Sequence, residues 1–126
     1  MSARNCILWG ALLGGVAVVL GAFGAHGLED YLVEYKQTAN YETAVRYQMF
    51  HALALVLVGI LAERRPTSTL RVAGWCFLAG VVIFSGALYG IALMRFSKLG
   101  MIAPIGGALL IAGWVALAVS ALHRNT

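Results

Sequence analysis

His26 and His51, with Tyr47 and Gln48 just ahead of the second, are the residues of this chain whose types could do chemistry. Ser85 and Tyr89 join them at a spacing of four, which a helix places on one face. Imidazole, phenol, hydroxyl and carboxamide groups together can relay a proton, orient a ligand or ligate a haem. Two histidines with no Cys, Asp or Glu at matching depth form an incomplete metal set, so no metal or cofactor is expected. There is no nucleophile with a base and an orienting group beside it, and an enzyme is not expected either.

The elements that must carry these residues are membrane helices. The composition is 61% hydrophobic and 11% charged with a mean hydropathy of +0.85, against roughly 25% charged in soluble domains. A crossing needs about 20 apolar residues. Four stretches supply them, at about 6–25, 41–62, 72–94 and 99–122. These runs are too continuous for the alternation of a barrel, so the chain reads as all-α, an integral membrane four-helix bundle forming a single transmembrane domain over 1–126. Arg4 ahead of the first run also fits a signal peptide, but that run exceeds the usual apolar core of about 7 to 15 residues. The first span is expected to be retained.

Between the first two spans, Leu28, Tyr31, Leu32 and Tyr35 recur at helical spacing while Glu29, Asp30, Glu34 and Lys36 fall elsewhere. This predicts a short amphipathic helix in the interface. Asn40 then caps the second span. Glu42 and Arg46, four apart, are expected to form a structural ion pair. Tyr47, Gln48 and His51 form a separate stripe about 140° around that helix from Arg46. His51 is eleven residues into the span, close to mid-bilayer, where a polar group is costly and a functional candidate by default.

Small residues mark helix contacts. Gly10 and Gly14, Gly21 and Gly24, and Gly86 with Gly90 are spaced as close-packing pairs. A phosphate loop at Gly21–Gly27 is excluded, because the C-terminal end of a helix repels anions. Pro104, followed by Gly106 and Gly107, is expected to break the fourth helix two turns from its start. Leu13, Gly15, Val16, Gly21, Ala22 and Leu28 recur as Leu78, Gly80, Val81, Gly86, Ala87 and Leu93 at an offset of 65, a faint echo of duplication.

Arg4, Arg64, Arg65, Arg71 and Arg124 flank one side of the spans, against Lys36, Arg46, Arg95 and Lys98 on the other. Five against four places both termini in the cytoplasm. The net charge of +4 then reflects topology, and no nucleic acid is expected as a partner. Cys6 and Cys76 fall near the cytoplasmic ends, where thiols stay reduced. With these directions, His26, Tyr47, Gln48, His51, Ser85, Tyr89 and the Pro104 break all fall in the outer half, while the inner half is nearly bare of polar groups. A pocket opening outward accounts for this asymmetry, and so does a polar network that locks the helices.

Gly21-Ala22-Phe23-Gly24-Ala25-His26-Gly27-Leu28, Thr43-Ala44-Val45-Arg46-Tyr47-Gln48 with His51-Ala52-Leu53, Phe84-Ser85-Gly86-Ala87-Leu88-Tyr89 and Pro104-Ile105-Gly106-Gly107 together resemble an uncharacterised bacterial inner-membrane family, domain of unknown function 423. The eukaryotic transmembrane protein 256 is similar to it. The resemblance covers nearly the whole chain and implies four helices in the plasma membrane, with no established activity and no catalytic residues to carry over.

Three functions compete. One is a non-enzymatic accessory or helix-packing component, associated with lipid and with copies of itself or a larger membrane complex. The second is a small-solute or ion transporter or channel using the His51 stripe. The absence of any Asp or Glu between Met1 and Leu28 separates the chain from small multidrug antiporters, and the third span lacks the phenylalanine- and threonine-rich break of fluoride channels. The third is a haem-, metal- or quinone-binding redox subunit. The first is the expected one.

Overall fold

The structure, a computed structural model, describes residues 1–123. Arg124, which enters the charge count above, and the end of the single domain at 126 lie outside the described residues. Four helices are long and apolar enough to cross a membrane.

Helix α1 (Ala3–Ala25) starts under the Ser2 side chain, which accepts from the Asn5 amide at 3.1 Å. The short helix α2 (Glu29–Glu34) follows, over part of the stretch whose spacing predicts it. It stops at Lys36, whose φ of 57° lets the Gln37 amide reach back to the Leu32 carbonyl at 2.8 Å. The apolar face of α2 packs on the bundle, with Leu32 buried and the Tyr31 hydroxyl donating to the Leu93 carbonyl at 2.7 Å. Tyr35 stays at the surface, where the Arg95 guanidinium lies 4.1 Å from its ring centre.

Helix α3 (Thr38–Arg64) begins earlier than the hydropathy of its span implies. Asn40 is therefore not its cap: it lies inside the first turn and donates to the Gln37 side chain at 2.9 Å. The cause is the left-handed turn at Lys36, which aims the chain into a helix before the apolar residues begin. Helix α4 (Ser68–Met94) is capped by Thr67, which accepts from the Leu70 amide at 3.1 Å. After Arg95, at φ 58°, a 3-10 turn over Ser97–Met101 leads into α5 (Ala103–Leu122).

Pro104 does not break a helix. It sits in the first turn of α5, where its missing N–H removes no intrahelical bond and its fixed φ suits helix entry. Residues 99–101, at the start of the fourth span, lie in the 3-10 turn, which together with α5 makes up the fourth apolar stretch, Ser97–Leu122.

The helices pack in sequence order, α1 on α3, α3 on α4 and α4 on α5, so the two central helices are the more buried. Leu12, Val16, Val19 and Phe23 of α1, like Ile105, Ile111 and Val115 of α5, face outward. Close backbone approaches at glycines set the spacing, among them Gly10 and Gly106. A Cβ at Gly10 would lie 2.8 Å from the Ala52 carbonyl oxygen, and one at Gly106 would lie 2.8 Å from Phe84 Cα. The core of the half nearer the termini is apolar, built from Leu55, Val58, Phe77, Val81 and Leu110. Helix starts also repeat at the offset of 65, Ala3 with Ser68 and Thr38 with Ala103. The faint echo between the first and third spans thus extends to the helix starts of two parallel hairpins.

Candidate functional site

The stripe on α3 sits at the junction of all four long helices. Gln48 is 4% exposed and reaches both ways: its Nε2 donates to the Leu13 carbonyl of α1 at 2.8 Å, and its Oε1 accepts the Tyr89 hydroxyl of α4 at 2.6 Å. One turn above, Ser85 Oγ donates to the Ala44 carbonyl at 2.8 Å. Tyr41 donates its hydroxyl to the Leu20 carbonyl and meets Tyr89 edge-on, ring centres 5.6 Å apart. Each of these carbonyls lies within a helix, so the side chain takes its second lone pair.

His51, 5% exposed and midway along α3, closes the network toward α5. Trp114 Nε1 donates to His51 Nε2 at 3.0 Å. Nε2 is therefore the acceptor nitrogen, and Nδ1 carries the hydrogen that it donates to the Tyr47 carbonyl at 2.7 Å. This is the neutral imidazole with both nitrogens used. Phe77 and Trp114 enclose the ring, with centres 5.7 and 5.8 Å away. Among the described residues no buried side-chain nitrogen or oxygen lacks a partner.

The structure thus brings Gln48, His51, Ser85 and Tyr89 into the bundle interior and leaves two candidates outside it. Tyr47 is 38% exposed, laid over Phe84 with ring centres 4.9 Å apart, and His26 is exposed at the end of α1. Trp114, whose ring is half-exposed but whose N–H enters the interior set, is the one that sequence reasoning missed. Its signal was depth: it is the twelfth residue of a twenty-residue span, whereas tryptophan favours the two interfaces.

The expected helix contacts divide similarly. Gly10 and Gly24 meet α3 at Ala52 and at the Tyr41 ring, Gly14 and Gly21 make ordinary contact with Ala52 and Val45, and Gly90 meets Leu99. Gly86 faces open space, and Gly107 makes only ordinary contact with Phe84. Glu42 and Arg46 are both exposed, and among the described residues no ion pair within 4.0 Å joins them. Each is exposed, and nothing packed around them holds the two long side chains in one paired geometry.

A groove of about 290 Å³ opens elsewhere, where the end of α1, α2 and the start of α3 converge. Gly21, Ala25 and Val45 line it over the buried Leu32 and Tyr41, and Glu42 and Arg46 supply its charges. It shares none of the interior candidates.

A family model described as Protein of unknown function (DUF423) matches residues 20–107. This chain belongs to that family. UPF0382 membrane protein SH2409 of Staphylococcus haemolyticus is 47% identical over 116 residues, 90% of this chain and 92% of its own length. UPF0382 membrane protein YwdK of Bacillus subtilis is 42% identical over 117 residues, 92% of this chain and 94% of its own. No solved structure matches the chain. Membership of DUF423 and the four apolar helices together make this a membrane protein. The matched segment holds Gln48, His51, Ser85, Tyr89 and the whole groove, while Leu13 and Trp114 lie outside it.

Proposed function

We propose that this DUF423 protein is a small non-enzymatic component of the bacterial plasma (inner) membrane, with both termini in the cytoplasm, that acts through contacts of its outer surface with lipid and with other membrane subunits. The observation that carries this reading is the double use of Gln48, which ties α1 to α4 through α3. With His51 joined to Trp114 in the same way, the polar stripe is spent on fixing the helices against one another. A permeation path needs polar groups free to exchange partners with a solute, and a haem or metal needs the Nε2 lone pair that the indole N–H occupies here.

Cell membranes extracted gently and analysed by native mass spectrometry test the proposal. The expected result is the protein in a stable assembly, with itself or another membrane subunit, that persists in a His51→Leu variant. Solute flux in reconstituted vesicles that disappears in that variant, with folding retained, would overturn it in favour of transport.

A further inference from the structure

The groove at the outer end of α1 and α3 holds two charges, Glu42 and Arg46, that form no ion pair with each other and lie at a depth where charge is costly. α3 runs for 27 residues with His51 at its midpoint. Arg46 is then about 7.5 Å and Glu42 about 13.5 Å from the middle of the membrane at 1.5 Å per residue, inside or at the edge of a hydrocarbon core roughly 30 Å thick. Arg46 must extend its side chain outward toward the headgroups. A guanidinium held there is matched to a phosphate, and a carboxylate one turn farther out is matched to an ammonium. The groove beside them has an apolar side built of Gly21, Ala25 and Val45.

We infer that this groove seats one phospholipid with an ethanolamine headgroup, its phosphate on Arg46, its ammonium on Glu42 and its acyl chains running from there toward the middle of the membrane. The order of the charges matches the lipid, in which the phosphate is next to the glycerol and the ammonium lies beyond it, toward water. A choline headgroup presents no N–H to Glu42, and a glycerol headgroup presents no cation, so both are held less well.

The test is delipidated protein titrated with phosphatidylethanolamine, phosphatidylcholine or phosphatidylglycerol in mixed micelles, with bound lipid counted by native mass spectrometry. One phosphatidylethanolamine is expected to be retained in preference to the other two. Arg46→Gln lowers its apparent affinity about tenfold, the value of one lost charge-assisted bond. Glu42→Gln removes the preference over phosphatidylcholine. Ala25→Leu, at an exposed position on the groove wall, reduces binding with no change of charge. All three positions are exposed, and unchanged thermal unfolding in detergent checks that the variants are folded. Equal retention of the three lipids by the unaltered protein, or binding indifferent to Arg46→Gln, overturns the inference. Displacement of the lipid by soluble phosphoethanolamine at similar concentration would also overturn it, by assigning the groove to a water-soluble phosphate compound.

Discussion

Trp114 gives its only hydrogen-bond donor to Nε2 of His51, 3.0 Å away, while nearly half of the Trp114 side chain faces outward. One residue thus meets the surroundings with its ring and the protein interior with its N–H. Replacing it with Phe retains most of the packing against Phe77 but leaves Nε2 without a donor. Interhelical hydrogen bonds in membranes average about 0.6 kcal/mol and reach about 1.7. Trp114→Phe should cost close to the upper figure, because the stranded acceptor is buried. His51→Leu should also destabilise. If the two act as one unit, the double variant loses clearly less than the sum of the single losses, measured by unfolding in mixed detergent.

Pro104 supplies a second test. In a helix interior, proline costs about 3 kcal/mol, so Pro104→Ala would stabilise the protein by a comparable amount if a break existed. In the first turn the same substitution loses only the restriction that proline places on the unfolded chain, about 0.4 to 1 kcal/mol. Pro104→Ala should therefore be slightly destabilising. The sign of the change in unfolding midpoint decides between the two placements.

The legibility of this protein in its sequence follows from which physical effects are local. Apolar run length reflects a property of each segment, and it located four helices to within a few residues. Leu28, Tyr31 and Leu32 likewise announced the face that α2 buries. Helix ends were less legible, because hydropathy is silent about polar residues such as Ser68 and Thr38 that continue a helix beyond its apolar part. The polar stripe was visible on α3 and α4, but its partners were not. The acceptors at Leu13, Leu20 and Ala44 are backbone carbonyls, which every residue carries and no side chain advertises. Pairing helices across the bundle is a global property, so the sequence left open whether Gln48 and His51 face a pocket or each other's neighbours.

The glycines separate by what faces them. At Gly106 an added Cβ would meet the backbone of Phe84, which cannot move without displacing α4. Overpacking of this kind costs about 1 to 3 kcal/mol. Gly86, four residues before a glycine that does meet a neighbour, has nothing within 4 Å. Gly106→Ala should lower the unfolding midpoint measurably, and Gly86→Ala should leave it unchanged or raise it, since alanine is the better helix former. A loss at Gly86 comparable to that at Gly106, in monomeric protein, would mean that its open face is occupied.

Gln48 makes the strongest prediction because both ends of its carboxamide are engaged with different helices. Gln48→Leu removes the donor to the Leu13 carbonyl, a small loss, because that carbonyl remains bonded within α1. It also strands the Tyr89 hydroxyl in the interior, and this costs more, about 1 to 3 kcal/mol for a buried polar group left unpaired. Tyr89→Phe in the Gln48→Leu background removes the stranded hydroxyl and should recover part of the stability. Tyr89→Phe alone should destabilise, since it leaves Oε1 of Gln48 without its donor. A rescue of the single variant by the second substitution is the signature of a closed hydrogen-bond network. If Gln48 and Tyr89 instead lined a wet cavity, water would satisfy whichever group was left, and the two losses would simply add.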